Sequence, residues 1–251
     1  MTFILPSIGG GIIASPTAPA AFPNTYSVDF DGTDDYMDAG TSSDYSIVGG
    51  GTLSYWFNPS FTTSTYTESV GKRSTAGFQI THTLAGGGSS MTIGVLNHTF
   101  SGGNPVVSIS TQNQWYLLTV VFHSGGGATL YLNDGSSGAS GTGSTSAKPS
   151  YSYTEDATAP LYIARHPTVL SRCFTGLIDE VSIFNSELSA SDVETIYNSG
   201  TAYDLSSYSP VSWWRMGDND GGTGTTITNQ GSGGNDGTLT NGPTFSTTVP
   251  T

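Results

Sequence analysis

The segment Gln114 to Phe122 (QWYLLTVVF) is apolar on both faces, and this constrains the fold more than any other stretch. In an antiparallel protein such a run is a central strand covered on both sides. It pairs with Ala128 to Leu132, which ends at Asn133-Asp134-Gly135, a strong hairpin-turn signal. Elsewhere the pattern is alternation. Tyr26, Val28 and Phe30 fall on one face with Ser27 and Asp29 on the other, as in a half-buried strand. Extended structure resumes over Tyr36 to Gly40 and again over Thr52 to Asn58, where Pro59 stops it. Further strands are expected at 68–72, 77–82, 91–96, 106–110, 161–164 and 176–184.

Only one helix is convincing, Ser189 to Asn198. Ser191 and Glu194 read as its capping box, Val193, Ile196 and Tyr197 as its apolar stripe, and Gly200 as its stop. One short helix among many strands makes this an all-β, two-sheet antiparallel sandwich. The composition agrees. Gly (34 residues), Ser and Thr dominate and only 10% of residues are charged, while 11% aromatics with Val and Ile provide a core. Residues 133–150 read as a low-complexity loop. Strands near 211–216, 225–229 and 237–240 make 204–251 a β appendage packed on the same sandwich, since it is too short for its own core. Residues 1–24 read as an extended arm: Phe3, Ile4, Leu5, Ile8, Ile12 and Ile13 are too apolar for a solvated tail, and Pro6 and Gly9 to Gly11 break any helix. With no basic start, that arm is not read as a secretory signal.

A net charge of −13 excludes nucleic acid, whose phosphates need clustered Lys and Arg. No stretch approaches the roughly 20 apolar residues of a membrane span. Cys173, the only cysteine, rules out an intrachain disulfide and reads as a buried inert thiol.

Four segments, in order, carry a resemblance: VDFDGTDDY (28–36), LSYWFNP (53–59), Trp115 to Phe122 with LYLNDG (130–135), and FTGLIDEVSIFN (174–185) followed by Leu188-Ser189 and the helix to Tyr197. Over about residues 25–203 the chain resembles the laminin-G-like family of the concanavalin A-like lectin/glucanase superfamily. The resemblance implies a jelly-roll sandwich, frequent Ca²⁺ binding, and adhesion to carbohydrate or protein.

Calcium takes about six to eight oxygen ligands, often carboxylates with carbonyls of a Gly-rich turn. The turn Asp31-Gly32-Thr33-Asp34-Asp35 offers these, and the expected site is Asp31, Asp34 and Asp179 with the Gly32 carbonyl. The bland alternative is that Asp31 and Asp34 cap the turn while Asp179 bonds backbone. The loop Asp218-Asn219-Asp220 is a weaker candidate.

A glycanase would need paired carboxylates about 5–10 Å apart, appearing as acids at alternate strand positions. No E-x-D-x-E type strand is present, and Asp179 and Glu180 are adjacent, which in a regular strand sends them to opposite faces. His82, His98, His123 and His166 are scattered singly, and no nucleophile elbow or phosphate loop occurs. The chain is therefore expected not to be an enzyme. For sugar stacking, Trp56 and Trp115 read as core, one of Trp213 and Trp214 as outward-facing, and Tyr66, Tyr151 and Tyr153 as exposed candidates. The expectation is a surface or structural protein of a viral (phage) particle with a lectin-like module. Its partners would be other copies or other subunits of an assembly, reached through the arm, and glycans. The alternative is a secreted or cell-surface carbohydrate-binding module.

Overall fold

The computed structural model describes residues 22–61, 66–74, 76–84, 90–96, 104–133, 144–148 and 154–251. Its strands are β1 (Ser27–Asp31), β2 (Tyr36–Asp38), β3 (Gly51–Pro59), β4 (Tyr66–Arg73), β5 (Gly77–Leu84), β6 (Met91–Leu96), β7 (Val106–Ile109), β8 (Tyr116–Phe122), β9 (Ala128–Leu132), β10 (Ser144–Lys148), β11 (Leu161–Ile163), β12 (Thr175–Phe184), β13 (Ser212–Trp214), β14 (Thr226–Ile227), β15 (Gly237–Thr240) and β16 (Thr244–Ser246), with one helix, α1 (Ala190–Tyr197).

These strands form two antiparallel sheets. The first runs β10-β9-β8-β3-β12-β1-β16, with β13 also paired to β12; the second runs β14-β15-β2-β11-β4-β5-β6-β7. Alternation sets what lies between them. Leu53, Tyr55 and Phe57 of β3 and Leu118, Val120 and Phe122 of β8 point into the inter-sheet core, facing Val70, Phe78 and Ile80 of the second sheet. Strand β8 is buried along its whole length. Its outward Leu117 joins a smaller cluster with Trp56, Phe184, Leu188, Ile196, Leu205 and Trp213, covered by α1, the turn after it and Phe22.

Three local expectations are corrected. The helix is capped two residues earlier than the spacing suggested: Ser189 is the N-cap, and Asp192, not Glu194, closes the capping box. The left-handed residue that ends it is Asn198, two positions before Gly200. Within the loop expected at 133–150, Ser144–Lys148 pairs with β9 as an edge strand. The hairpin signal of Asn133-Asp134-Gly135 runs into 134–143, which with 1–21 lies outside the described residues.

The C-terminal segment contributes to both sheets. Strand β13 pairs with β12, β16 with β1, and β15 with β2. Strands β1 and β13 therefore lie end to end along one edge of β12, against residues 175–178 and 181–183. Across the strand, Asp179 opposes Trp56 and Ser182 opposes Ser54, so β12 carries one extra residue between them. That residue is Glu180, left-handed at φ 49°.

Candidate functional site

The outer face of the first sheet is only half covered. Around Trp56 and Trp213 the helix and Phe22 close it, and Tyr197 stacks 5.8 Å from Trp56. Beyond that cluster the same face opens into a groove of about 500 Å³, lined by residues of β1, β3, β12 and β16. Its floor follows from register: Thr244, Asp29, Leu177 and Asn58 stand side by side on neighbouring strands. Gly176 belongs to this floor because a Cβ there would lie 2.2 Å from the Asn58 carbonyl oxygen.

Asn58 is the most informative lining residue. It is only 8% exposed, and its side chain makes no hydrogen bond among the described residues, while its amide is not sealed from solvent. What is accessible of it opens onto the groove, where its oxygen and NH2 are free to bond a ligand's polar groups. Asp29 stands at the groove's edge, and Asp31 two residues on shares its face. Partial burial and the neighbouring Asp31 charge raise the Asp29 carboxyl above its ordinary range. Sequence reasoning missed this alternating pair. The polar face of the first strand had been recognised, and extending it by one residue to Asp31 would have revealed it.

At the rim, Asp31, Asp34 and Asp35 bring carboxylate oxygens within 4.8 Å of one another. Asp31 Oδ1 accepts the Thr33 N–H, and Asp35 Oδ2 accepts the Asp31 N–H. Burial raises Asp35 above the usual carboxylate range, with its acidic neighbours adding to the effect. Gly32 takes φ 78°, where a Cβ would lie 1.8 Å from Thr175 Oγ1, so the turn requires glycine.

Asp179 is not part of this cluster. Val28 pairs with Ile178 and Asp31 with Thr175, so Asp179 lies level with Ser27. Four residues of strand separate that position from Asp31, roughly 13 Å. Asp179 is fully buried and accepts from Asn24 Nδ2 (2.9 Å) and the Glu180 N–H (2.8 Å). The bulge also cancels the expected opposition of 179 and 180. Glu180 Oε1 accepts from Arg215 Nε at 3.0 Å, and its Oε2 accepts from Trp213 Nε1. Burial raises Glu180 to about 7 against the pull of Arg215, and raises Asp179 well above its usual value, with the Glu180 charge adding to it.

The second acidic loop is consumed by the protein. Asp218 accepts from the N–H groups of Thr25 and Tyr26 and pairs with Arg215, and Asp220 accepts from Thr228. Both Trp213 and Trp214 are buried, the first under Phe22 (5.8 Å, stacked) and the second in the inter-sheet core. Tyr66 lies under Arg172, 4.3 Å from the ring, and Tyr151 and Tyr153 fall outside the described residues. His82 is buried against Ser69, His123 pairs with Glu187, and His166 accepts two backbone N–H groups of its own loop. Cys173 is buried, and burial pushes its thiol up to about 11.

Residues 31–194 match the family model described as the concanavalin A-like lectin/glucanases superfamily, laminin-G type. A Bacteroides ovatus protein described as carbohydrate-binding superposes with a TM-score of 0.65 at 16% identity, over 90% of this chain and 60% of that one. The chain thus spans under two thirds of that protein's length. A heptameric SAP-like pentraxin of Limulus polyphemus superposes with a TM-score of 0.51 at 14% identity, over 69% of this chain and 82% of that one. At these identities the likeness is one of fold. No curated protein matches the chain by sequence. No helix among the described residues is long and apolar enough to cross a membrane.

Proposed function

Because the chain belongs to the laminin-G-like branch of the concanavalin A-like lectin/glucanase superfamily, we propose that it is a non-catalytic carbohydrate-binding module whose ligand lies over Asn58. The observation that carries this reading is the Asn58 amide, unbonded among the described residues and open to a groove walled by Asp29, Asp31 and Asn113. Amides and carboxylates together satisfy sugar hydroxyls, which donate and accept at once. The carbohydrate binding named for the Bacteroides ovatus protein suggests the same ligand class.

Asp29 and Asp31 do have the alternation that glycoside hydrolysis uses. Hydrolysis also requires one carboxyl held protonated in an apolar setting. Both side chains here are exposed in a polar groove, and Asp31 is engaged by Thr33. The pair is suited to accept hydrogen bonds from hydroxyl groups rather than to deliver a proton.

A calcium ion beside the groove is part of the proposal, held by Asp31, Asp34 and Asp35 without Asp179. The fit rests on three hard oxygen donors, and the ion would neutralise the crowded carboxylates of the rim. Glycan-array screening followed by calorimetry, with calcium or EDTA, tests both parts. The wild type is expected to bind a glycan, more weakly in EDTA, and Asn58→Ala to lose about tenfold in affinity. No glycan bound in either buffer, or reducing ends released from a bound glycan, would sink the non-catalytic reading.

A second reading is a subunit of a viral particle tethered through residues 1–24, whose last three residues are anchored on the chain's own sandwich and would hold the root of such an arm in place. Arg215 Nη2 donates to the Pro23 carbonyl, its guanidinium lies 4.2 Å over Phe22, and Asn24 donates to Asp179. Light scattering of the full chain is expected to give a mass above the monomer. A monomer at high concentration would count against this reading.

A further inference from the structure

Resting on the groove as a glycan site, we infer that its occupant is an amino sugar, a glycan bearing a free ammonium group next to Asp29 and Asp31. None of the eleven lining residues is basic. The two side chains leave β1 on one face, with Cα atoms roughly 6.6 Å apart. No ion pair among the described residues involves either carboxylate, and the chain as a whole carries −13. A neutral sugar laid over this pair would take water away from two like charges and give nothing back but hydroxyl hydrogen bonds. An ammonium group adds a charge-assisted bond and relieves the mutual repulsion. A carboxylated or sulfated sugar would bring a third negative charge to the same wall.

The rest of the groove fits a sugar rather than an isolated ion. Asn58 and Asn113 stand across from Asp29 and can each give and take one hydroxyl bond, while Leu177 between them offers an apolar patch for the ring's C–H face. The ammonium thus sets the orientation, and the amides read the ring.

Calorimetry on the full chain at about pH 6, where an amine of ordinary basicity is charged, compares three tetrasaccharides: glucosamine, N-acetylglucosamine and glucose. Each is measured in EDTA and in calcium; a calcium ion on Asp31 leaves Asp29 as the ammonium's partner, so the preference among the three is expected in both buffers. The glucosamine oligomer is expected to bind about fivefold more tightly than the other two, the upper end for an exposed ion pair. Raising the salt should shrink that preference. Asp29→Asn should narrow the gap to within about twofold, with an unchanged melting temperature showing that the variant is folded. If the acetylated or neutral oligomer binds as tightly and Asn58→Ala still weakens it, the ammonium inference falls while the groove stands. If none of the three oligomers binds, both fall.

Discussion

Replacing Trp214 by Ala is expected to lower the free energy of unfolding by about 3–5 kcal/mol, a large share of the roughly 5–15 kcal/mol that holds a typical domain together. Trp214 is 0% exposed and is the largest fully buried side chain. It reaches the inter-sheet core from β13, tilted against Tyr45 at 5.8 Å, and its Nε1 donates to the Asn235 carbonyl at 3.0 Å. Truncation leaves a cavity between two sheets that cannot close on it, and an Asn235 carbonyl without its donor. Equilibrium urea unfolding followed by circular dichroism measures the loss. A loss under about 1 kcal/mol would mean that the C-terminal strands are ornaments on the sandwich rather than part of its core.

The second large effect is a dependence on pH carried by Glu180. Its carboxyl is raised from 4.5 to about 7 in the folded chain. A carboxyl raised on folding stabilises the fold fully below its unfolded value, and that stabilisation is lost as pH rises through the folded value. Stability is therefore lost as pH rises from the usual carboxylate range toward 7, and Asp179, raised by its own burial and by the Glu180 charge, acts in the same sense. Other groups act on the total. Burial lowers His82 to about 3, so that residue favours folding as pH rises through 6.5, the opposite trend. Glu187, held near 2 by His123 and Ser124, changes the balance only below the Glu180 window.

Comparison with Glu180→Gln removes these shared contributions. At pH 4.5 the variant is expected to match the wild type to within about 1 kcal/mol, because a protonated Glu180, like a Gln amide, offers only one free acceptor oxygen to the two donors, Arg215 Nε and Trp213 Nε1. As pH rises past 7 the wild type must charge Glu180 beside Asp179, and the variant should become the more stable of the two. A difference between the two proteins that stays constant from pH 4.5 to 8 would remove Glu180 as its source.

Much of the sandwich is legible in the chain because alternation and apolar runs are local signals. The both-sided run of β8 and the sequence FTGLIDEVSIFN locate two of the central strands of the first sheet. What the chain does not announce is anything that depends on which distant residue stands opposite. Asp31 and Asp179 fall on neighbouring strands, yet the register sets them at different levels. The bulge at Glu180 uses a left-handed residue that is not glycine, so no turn signal marks it. Two overlapping Ser-x-x-acid spacings begin at Ser189 and Ser191, and packing of Leu188 and Ile196 against Trp56 decides for the earlier one. Ser144–Lys148 is extended because β9 offers it an edge, not because its residues favour a strand. Asn58 reads in the sequence as a polar residue at a strand end. Only the neighbouring β1 and β12 turn it into the floor of a groove.

The clasp of β1 between β12 and β16 also sets the order of assembly. Ser27 Oγ donates to the Thr248 carbonyl across 221 residues, and Val28 pairs with both Ile178 and Phe245. Strand β1 thus gains its first partner only once β12 has been made, and its second only with β16. Contacts of such separation slow folding, because the entropy of closing the loop is lost before the contact forms. Until β12 is made, Val28 and Phe30 lack the strand that pairs with them, and the alternating edge of β1 is open to unwanted pairing, an exposure that a chaperone or dilution limits.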